Sequence, residues 1–214
     1  MVDILPTDTR DEWIELSDGC RLFARIVLPA DADRAPVPAV LEYLPYRLTD
    51  GTAYSDATHH PYFAARGYAS IRVDIRGTGN SDGILLGEYL PQEQFDACEV
   101  IAWIAGRPWC TGAVGMFGKS WGGFNGLQVA AQRPPALKAV VSAYSTDDRY
   151  AEDVHYMGGC LLGHVGVPVV VPRRRRPARA ERLSRACGDG RMPRTAPLRP
   201  CFRPGRVAPF RPGC

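Results

Sequence analysis

The sequence lacks three features that would each place it in a broad class of proteins. No apolar run is long enough to cross a bilayer, which argues against a membrane protein. The N-terminus is acidic and has no basic segment followed by an apolar core, so we predict no signal peptide. The seven cysteines are odd in number and form no CxxC pair, which argues against a disulfide framework or a zinc site. These absences predict a cytoplasmic protein with reduced thiols.

Charge is divided unevenly along the 214 residues. Residues 1–163 carry 13 basic and 21 acidic side chains, whereas residues 164–214 carry 13 arginines, no lysine and two acidic side chains. The first part therefore has a net charge of −8 and the second a net charge of +11. Residues 173–214 also hold seven prolines and no Tyr or Trp. We predict that this Arg/Pro-rich tail is disordered, because it cannot bury enough apolar surface to offset its ordering entropy.

Residues 1–163 show strand and helix patterns in alternation. The predicted strands are a hairpin over 13–28 with its turn at 17–19, followed by 38–43, 68–74, 113–117 and 137–144. The predicted helices are 61–66, 92–105 and 121–132. On helix 92–105 the apolar period predicts one buried face, formed by Phe95, Cys98, Ile101 and Ala105 and widened by Val100 and Ile104. Strands alternating with helices predict an α/β fold with a mostly parallel sheet of about six strands.

The most informative segment joins the predicted strand 113–117 to the helix that follows it. Gly118-Lys-Ser-Trp-Gly122 fits the G-x-S-x-G pattern of a nucleophile elbow, in which a sharp strand–turn–helix exposes a strained serine. Small residues two before and two after the serine leave room for that turn. The helix would present its N-terminal N–H groups to a developing oxyanion. Ser120 is therefore the candidate nucleophile.

Two nucleotide-binding alternatives fail on spacing. A phosphate-binding P-loop would need glycine five positions before Gly118, and Ala113 stands there within an apolar strand. The loop 77–83 is glycine-rich, but its third glycine comes one position late for a dinucleotide fingerprint and residues 85–89 do not open a helix. We therefore expect no cofactor and no metal.

Four segments together resemble the CocE/NonD family of α/β-hydrolases, relatives of cocaine esterase and the Xaa-Pro dipeptidyl-peptidases. They are Leu44–Arg47, Tyr68–Gly83, Trp109–Phe124 and Ser145–Tyr150, and the likeness runs from about residue 11 to residue 163. The resemblance implies an α/β-hydrolase fold, here incomplete. It also implies a serine esterase or peptidase in which Ser120 attacks the carbonyl of a small-molecule ester, amide or peptide.

The resemblance further assigns the oxyanion hole. In this family a tyrosine hydroxyl from the loop after the third strand completes the hole, and that position is Tyr46. The second donor would be the backbone N–H of Trp121. With Ser120, these residues form the predicted site.

The resemblance also divides the chain into three parts. Residues 1–145 correspond to a partial hydrolase core, 146–163 to the start of a helical cap, and 164–214 to the tail. Residues 137–144 would then form an unprotected sheet edge, which favours aggregation. We predict a truncated and weakly active or inactive hydrolase.

The remaining triad members are not recognisable in the sequence. The acid and histidine of this fold follow later strands, so we interpret Asp147, Asp148 and His155 as ion-pairing or capping residues instead. His59 and His60 precede the serine and fit no triad position. His164 and Asp189 lie in the tail without strand context.

The tail has three explanations. Its composition is what a GC-rich gene yields in a wrong reading frame, which we favour; it could also be a degenerate but expressed remnant. Alternatively it is a basic segment that makes the chain a non-enzymatic module for nucleic acid or another polyanion, although it lacks the aromatic residues of single-strand binders. The sequence leaves the substrate and the oligomeric state open.

Overall fold

The computed structural model describes residues 4–153 and 155–162. The Arg/Pro-rich tail at 164–214, with its three explanations and with His164 and Asp189, lies outside the described residues. The predictions made for the tail therefore stay predictions.

Eight strands and three helices follow one another along the described residues. In chain order they are β1 (Thr7–Glu15), β2 (Arg21–Pro29), β3 (Val37–Leu44), α1 (Ala53–Ala64), β4 (Ala69–Asp74), α2 (Pro91–Ala105), β5 (Cys110–Lys119), α3 (Trp121–Gln132), β6 (Leu137–Ala143), β7 (Tyr156–Met157) and β8 (Cys160–Leu161). The predicted hairpin, strands and the helices at 92–105 and 121–132 are confirmed, with ends within three residues of the prediction except that β1 begins six residues earlier than expected. Each of these elements carries a strong local pattern.

Six of the described strands form one mixed sheet in the order β1-β2-β4-β3-β5-β6. β3 runs parallel to β4 and to β5, and β5 runs parallel to β6. β1 and β2 pair antiparallel, and β2 pairs antiparallel with β4. The chain passes from β3 to one neighbour and then returns to the other, so the strand order reverses at β3. In α/β sheets, ligands bind at such a reversal, outside the carboxyl ends of the strands.

Helices α2 and α3 cover one face of the sheet and form the main hydrophobic core with it. The buried face of α2 differs from the prediction. Phe95 is 56% exposed, and the buried positions are Glu93, Asp96, Ala97, Val100, Ile101 and Ile104. These positions repeat at three and four residues, so the helix is amphipathic, but two of its buried residues are acidic. The predicted burial of Val100, Ile101 and Ile104 is confirmed, whereas the prediction for Phe95 was wrong. Glu93 and Asp96 were missed because an apolar period does not report buried acids.

Helix α1 packs on the sheet from the β2 and β4 side and begins eight residues before the predicted helix. Its buried residues are Asp56, His60 and Ala64, so its inner face is largely polar. Asp56 pairs with the buried Arg72 of β4, and His60 Nδ1 lies 2.7 Å from the Ser70 hydroxyl. An apolar-periodicity search misses such a helix because ionic and hydrogen-bonding groups anchor it.

The segment after β6 does not extend the large sheet within the described residues. Residues 156–161 form a small antiparallel hairpin of β7 and β8, and the described part of 146–162 contains no helix. That this segment begins a cap remains a prediction. β6 is an edge strand of the six-stranded sheet, in which Val141 is 64% exposed, and Tyr144, just after the strand, is 84% exposed.

Candidate active site

Ser120 occupies the turn between β5 and α3. Its backbone has φ 57° and ψ −120°, a positive φ that costs a non-glycine residue energy. The turn is held by the Ser120 amide, which donates to Ala143 O at 2.9 Å, and by the Ser120 carbonyl, which accepts from Gly123 N and Phe124 N. The strand–strained serine–helix geometry of a nucleophile elbow is therefore present.

Gly118 is required by a close approach of backbone atoms, and Gly122 lies in a tight contact with a side chain. A Cβ on Gly118 would lie 2.3 Å from the carbonyl carbon of Gly122, and one on Gly122 would lie 3.1 Å from Leu44 Cδ2. Any side chain at 118 would push the first turn of α3 away from the end of β5. The spacing of the motif thus follows from packing of the strand against the helix.

Tyr46 is brought to Ser120 from the loop after β3. Its hydroxyl lies 3.4 Å from Ser120 Oγ, although 74 residues separate the two in sequence. Both loops leave the carboxyl ends of adjacent parallel strands, on either side of the reversal in strand order. An acyl oxygen bound at Ser120 would therefore lie near the Tyr46 hydroxyl.

Trp121 is the first residue of α3, and its side chain is buried. The first backbone N–H groups of a helix have no partner within the helix. The Ser120 carbonyl satisfies those of Gly123 and Phe124, which leaves Trp121 N–H and Gly122 N–H at the start of the helix. Their position next to Ser120 suits them to bind a negatively charged oxygen.

A buried ionic network on β4 contacts the loop that carries Tyr46. Asp74 accepts a hydrogen bond from Leu48 N at 3.0 Å, and Arg72 donates to Leu44 O and to Thr52 Oγ1. Arg72 also lies 3.3 Å from Asp74. Burial raises the pKa of Asp74, and the positive charge of Arg72 opposes that rise. The network ties both ends of the loop to β4.

Glu42, Asp56 and His60 bring three potential metal-ligating atoms within 4.8 Å of one another. The Arg72 guanidinium already lies among them, with Nε 3.4 Å from Asp56 and 3.7 Å from Glu42. A second cation would be repelled by that guanidinium, so we interpret the group as part of the ionic network.

The other histidines and acids that stand out in the sequence lie in different settings. His155 Nε2 is 3.1 Å from Glu88 and its Nδ1 is 3.3 Å from Asp153, so carboxylates face both ring nitrogens. Asp148 accepts from the backbone amides of residues 150 and 151 and so closes a local turn, with no helix following it in the described part of the chain. Among the residues that the structure describes, the side-chain hydrogen bonds of Ser120 include Tyr46 but no imidazole.

Two features of the site had no sequence signal. Glu93 Oε1 accepts from the Trp121 indole at 2.6 Å, across 28 residues of sequence. A cavity of about 600 Å³ opens beside Tyr46 and Lys119, and it is lined further by Glu42, Leu44, Arg47, Gly51, Thr52, Ser55, His59, Phe117, Gly118, Val141 and Ala143. Both depend on tertiary packing, which no local pattern encodes.

A strained serine between a parallel strand and a helix, with a tyrosine hydroxyl beside it at the reversal of the strand order, defines the α/β-hydrolase class. A profile of the X-Pro dipeptidyl-peptidase (S15) family matches residues 18–187 of the chain. The chain therefore belongs to this family of serine hydrolases, which confirms the resemblance found in the sequence.

Individual relatives agree with this placement. Cocaine esterase of Rhodococcus sp. (strain MB1 Bresler) is 35% identical over 164 residues, covering 75% of this chain and 28% of that protein. The crystal structure of a CocE/NonD family hydrolase from Staphylococcus aureus is similar with a TM-score of 0.58 at 25% identity, covering 72% of this chain and 30% of that one. An α-amino acid ester hydrolase gives a TM-score of 0.60 at 26% identity, covering 73% of this chain and 28% of that one. The chain spans about a quarter of the length of the first curated relatives, and 13% of the Xaa-Pro dipeptidyl-peptidase of Lactobacillus helveticus.

Proposed function

We propose that the chain carries the nucleophile and oxyanion hole of a serine hydrolase that cleaves small-molecule esters, amides or peptides. The observation that supports this most strongly is the Tyr46 hydroxyl 3.4 Å from Ser120 Oγ, at an elbow whose φ is 57°. The names of the relatives, cocaine esterase and Xaa-Pro dipeptidyl-peptidase, supply the substrate classes.

The proposed chemistry is acyl transfer to water. Ser120 Oγ attacks the carbonyl carbon and loses its proton, and the carbonyl oxygen becomes an oxyanion. Tyr46 O–H and the Trp121 backbone N–H donate to that oxyanion, which lowers the barrier because both donors are fixed before the reaction. The alcohol or amine leaves with a proton, and water then releases the acid from the serine ester.

We further propose that this chain by itself turns over slowly. Within residues 4–153 and 155–162, no histidine reaches Ser120 to remove its proton. Ser120 must then give up its proton to water, and the oxyanion hole remains to assist its attack on an activated ester. We expect this Ser120-dependent rate to be measurable but orders of magnitude below that of an intact triad.

The proposed location is the cytoplasm. No helix in the described part of the chain has the length and apolar character needed to span a bilayer. The four described cysteines, Cys20, Cys98, Cys110 and Cys160, are free thiols, as a reducing compartment favours.

Hydrolysis of p-nitrophenyl butyrate by the full chain tests the function. We expect saturable turnover that Ser120→Ala removes, while the control Ser17→Ala, at an exposed serine bonded to Glu99, keeps it. Turnover that is equal in the wild type and in Ser120→Ala would refute the proposal.

A further inference from the structure

Glu93 is an acidic residue buried beneath the elbow. It lies in the first turn of α2, and only 6% of its surface is exposed. Asp96, one turn further along the helix, is also buried, but its carboxylate is paired with Arg76 at 2.7 Å. In the described part of the chain, no ion pair involves Glu93. The buried carboxylate of Glu93 is stabilised instead by hydrogen bonds.

The hydrogen bonds of Glu93 converge from two segments of the chain. Oε1 accepts from the Trp121 indole N–H at 2.6 Å, and Oε2 accepts from the Tyr89 backbone N–H at 3.0 Å. Burial raises the pKa of Glu93, and the bonds from Trp121, Asn125 and Tyr89 oppose that rise. Hydrogen bonds to a charged acceptor are roughly twice as strong as neutral ones.

Both donors belong to the surroundings of Ser120. Trp121 directly follows the nucleophile, and its backbone N–H is a proposed oxyanion donor. Tyr89 has a positive φ of 58°, and its ring centroid lies 4.9 Å from that of Trp121 and 5.2 Å from that of Phe124. The Glu93 carboxylate thus holds the side chain of Trp121 and the backbone of Tyr89, whose ring packs against the Trp121 ring at an angle of 40°.

We propose that Glu93 is a positioning residue for catalysis: by holding the Trp121 indole and the Tyr89 amide, it orients the Trp121 backbone N–H toward the oxyanion. This inference rests on the proposed hydrolase function. The Trp121 N–H shares a peptide plane with the Ser120 carbonyl, which accepts from Gly123 N and Phe124 N, so the backbone already holds one side of this group. The bond from the Trp121 indole to Glu93 adds a second restraint from the side chain, in a turn where Gly122 and Gly123 have no side chain to contribute.

A purely structural alternative exists, in which Glu93 only caps α2. An acidic residue in the first turn of a helix is stabilising by itself, and the bond to Tyr89 N satisfies an amide just before the helix. That role does not require the indole. The positioning role predicts that loss of the Glu93–Trp121 bond lowers kcat, whereas the capping role predicts no change in kcat from loss of that bond.

The test is a double-mutant cycle with Glu93→Gln and Trp121→Phe in the full chain, using p-nitrophenyl butyrate well below the melting temperatures. We expect each single variant to lower kcat by about tenfold or more with little change in KM, because the donor acts on the transition state. The double variant should lose no more than either single variant. Glu99→Gln, on the same helix and also removing an acceptor of a backbone amide and a side chain, should keep kcat.

A second measurement reads the bond without activity. In ¹⁵N-tryptophan-labelled protein, the indole resonance missing from Trp121→Phe is that of Trp121, and we expect Glu93→Gln to shift it upfield. An unmoved resonance, or a moved resonance with unchanged kcat, overturns the positioning role. If Ser120→Ala shows that wild-type turnover does not depend on Ser120, the hydrolase function fails and the positioning role falls with it. The resonance still reports separately whether the bond exists.

Discussion

Adding one methyl group at Gly118 should separate the local geometry of the elbow from the stability of the sheet. An alanine Cβ at 118 would lie 2.3 Å from the Gly122 carbonyl carbon and 2.5 Å from its oxygen, whereas ordinary contacts begin near 3.4 Å. The first turn of α3 must therefore move by about 1 Å, because both partners are backbone atoms and no side chain can rotate away. That movement carries the Trp121 N–H away from Ser120.

The expected magnitudes follow from this displacement. Overpacking of this kind costs about 1–3 kcal/mol of unfolding free energy. A shift of about 1 Å in a catalytic group lowers turnover by about 10²-fold. Urea unfolding measures the loss of unfolding free energy, and hydrolysis of p-nitrophenyl butyrate measures the loss of turnover. The matched control is Gly115→Ala on the same strand, where the nearest atom to the new Cβ would be Ala139 O at 3.6 Å. If Gly118→Ala were as stable and as active as Gly115→Ala, the packing argument would be refuted.

Three further predictions address the site and its support. Tyr46→Phe should lower kcat by about 10²–10³-fold with an unchanged urea midpoint, since it removes one oxyanion donor and no core contact. Arg72→Met should cost about 3–5 kcal/mol at pH 7, because it leaves buried carboxylates uncompensated. Without Arg72 the already raised pKa of Asp74 rises further; a raised carboxyl pKa removes stability as pH increases, so urea unfolding at pH 5 should show a smaller loss than at pH 7. An equal loss at both pH values would contradict this. Val141→Lys, at a 64% exposed position of the edge strand β6, should slow aggregation measured by light scattering without lowering stability. Unchanged aggregation would argue against β6 as the strand through which the chains associate.

The parts of the fold that the sequence predicts well are those with a local signal. The elbow is one, because the strand, the two glycines and the helix lie within a few residues of Ser120. The beginning of α1 and the N-terminal part of the inner face of α2 were missed because the local apolar signal is absent there. In both helices, buried acids occupy positions that an apolar repeat would need to be hydrophobic: Asp56 on α1, and Glu93 and Asp96 on α2.

The residues of the site also differ in whether a local sequence pattern predicts them. Ser120 follows from its motif, whereas Tyr46 came from family resemblance, since a loop tyrosine has no pattern of its own. The bond from Trp121 to Glu93 joins residues 28 apart and could not be predicted, because it depends on how α2 packs against α3. The features that were missed involve the buried acids Asp56, Glu93 and Asp96, and tertiary structure alone determines which groups these acids contact.

The central claim is that Ser120 is a nucleophile in a preformed oxyanion hole. Incubation of the full chain with a fluorophosphonate, followed by intact-mass and peptide mass spectrometry, tests it most directly. We predict a single adduct on Ser120, absent from Ser120→Ala and formed more slowly by Tyr46→Phe. A folded chain that stays unmodified at Ser120, or that is modified equally at other serines, would contradict the account.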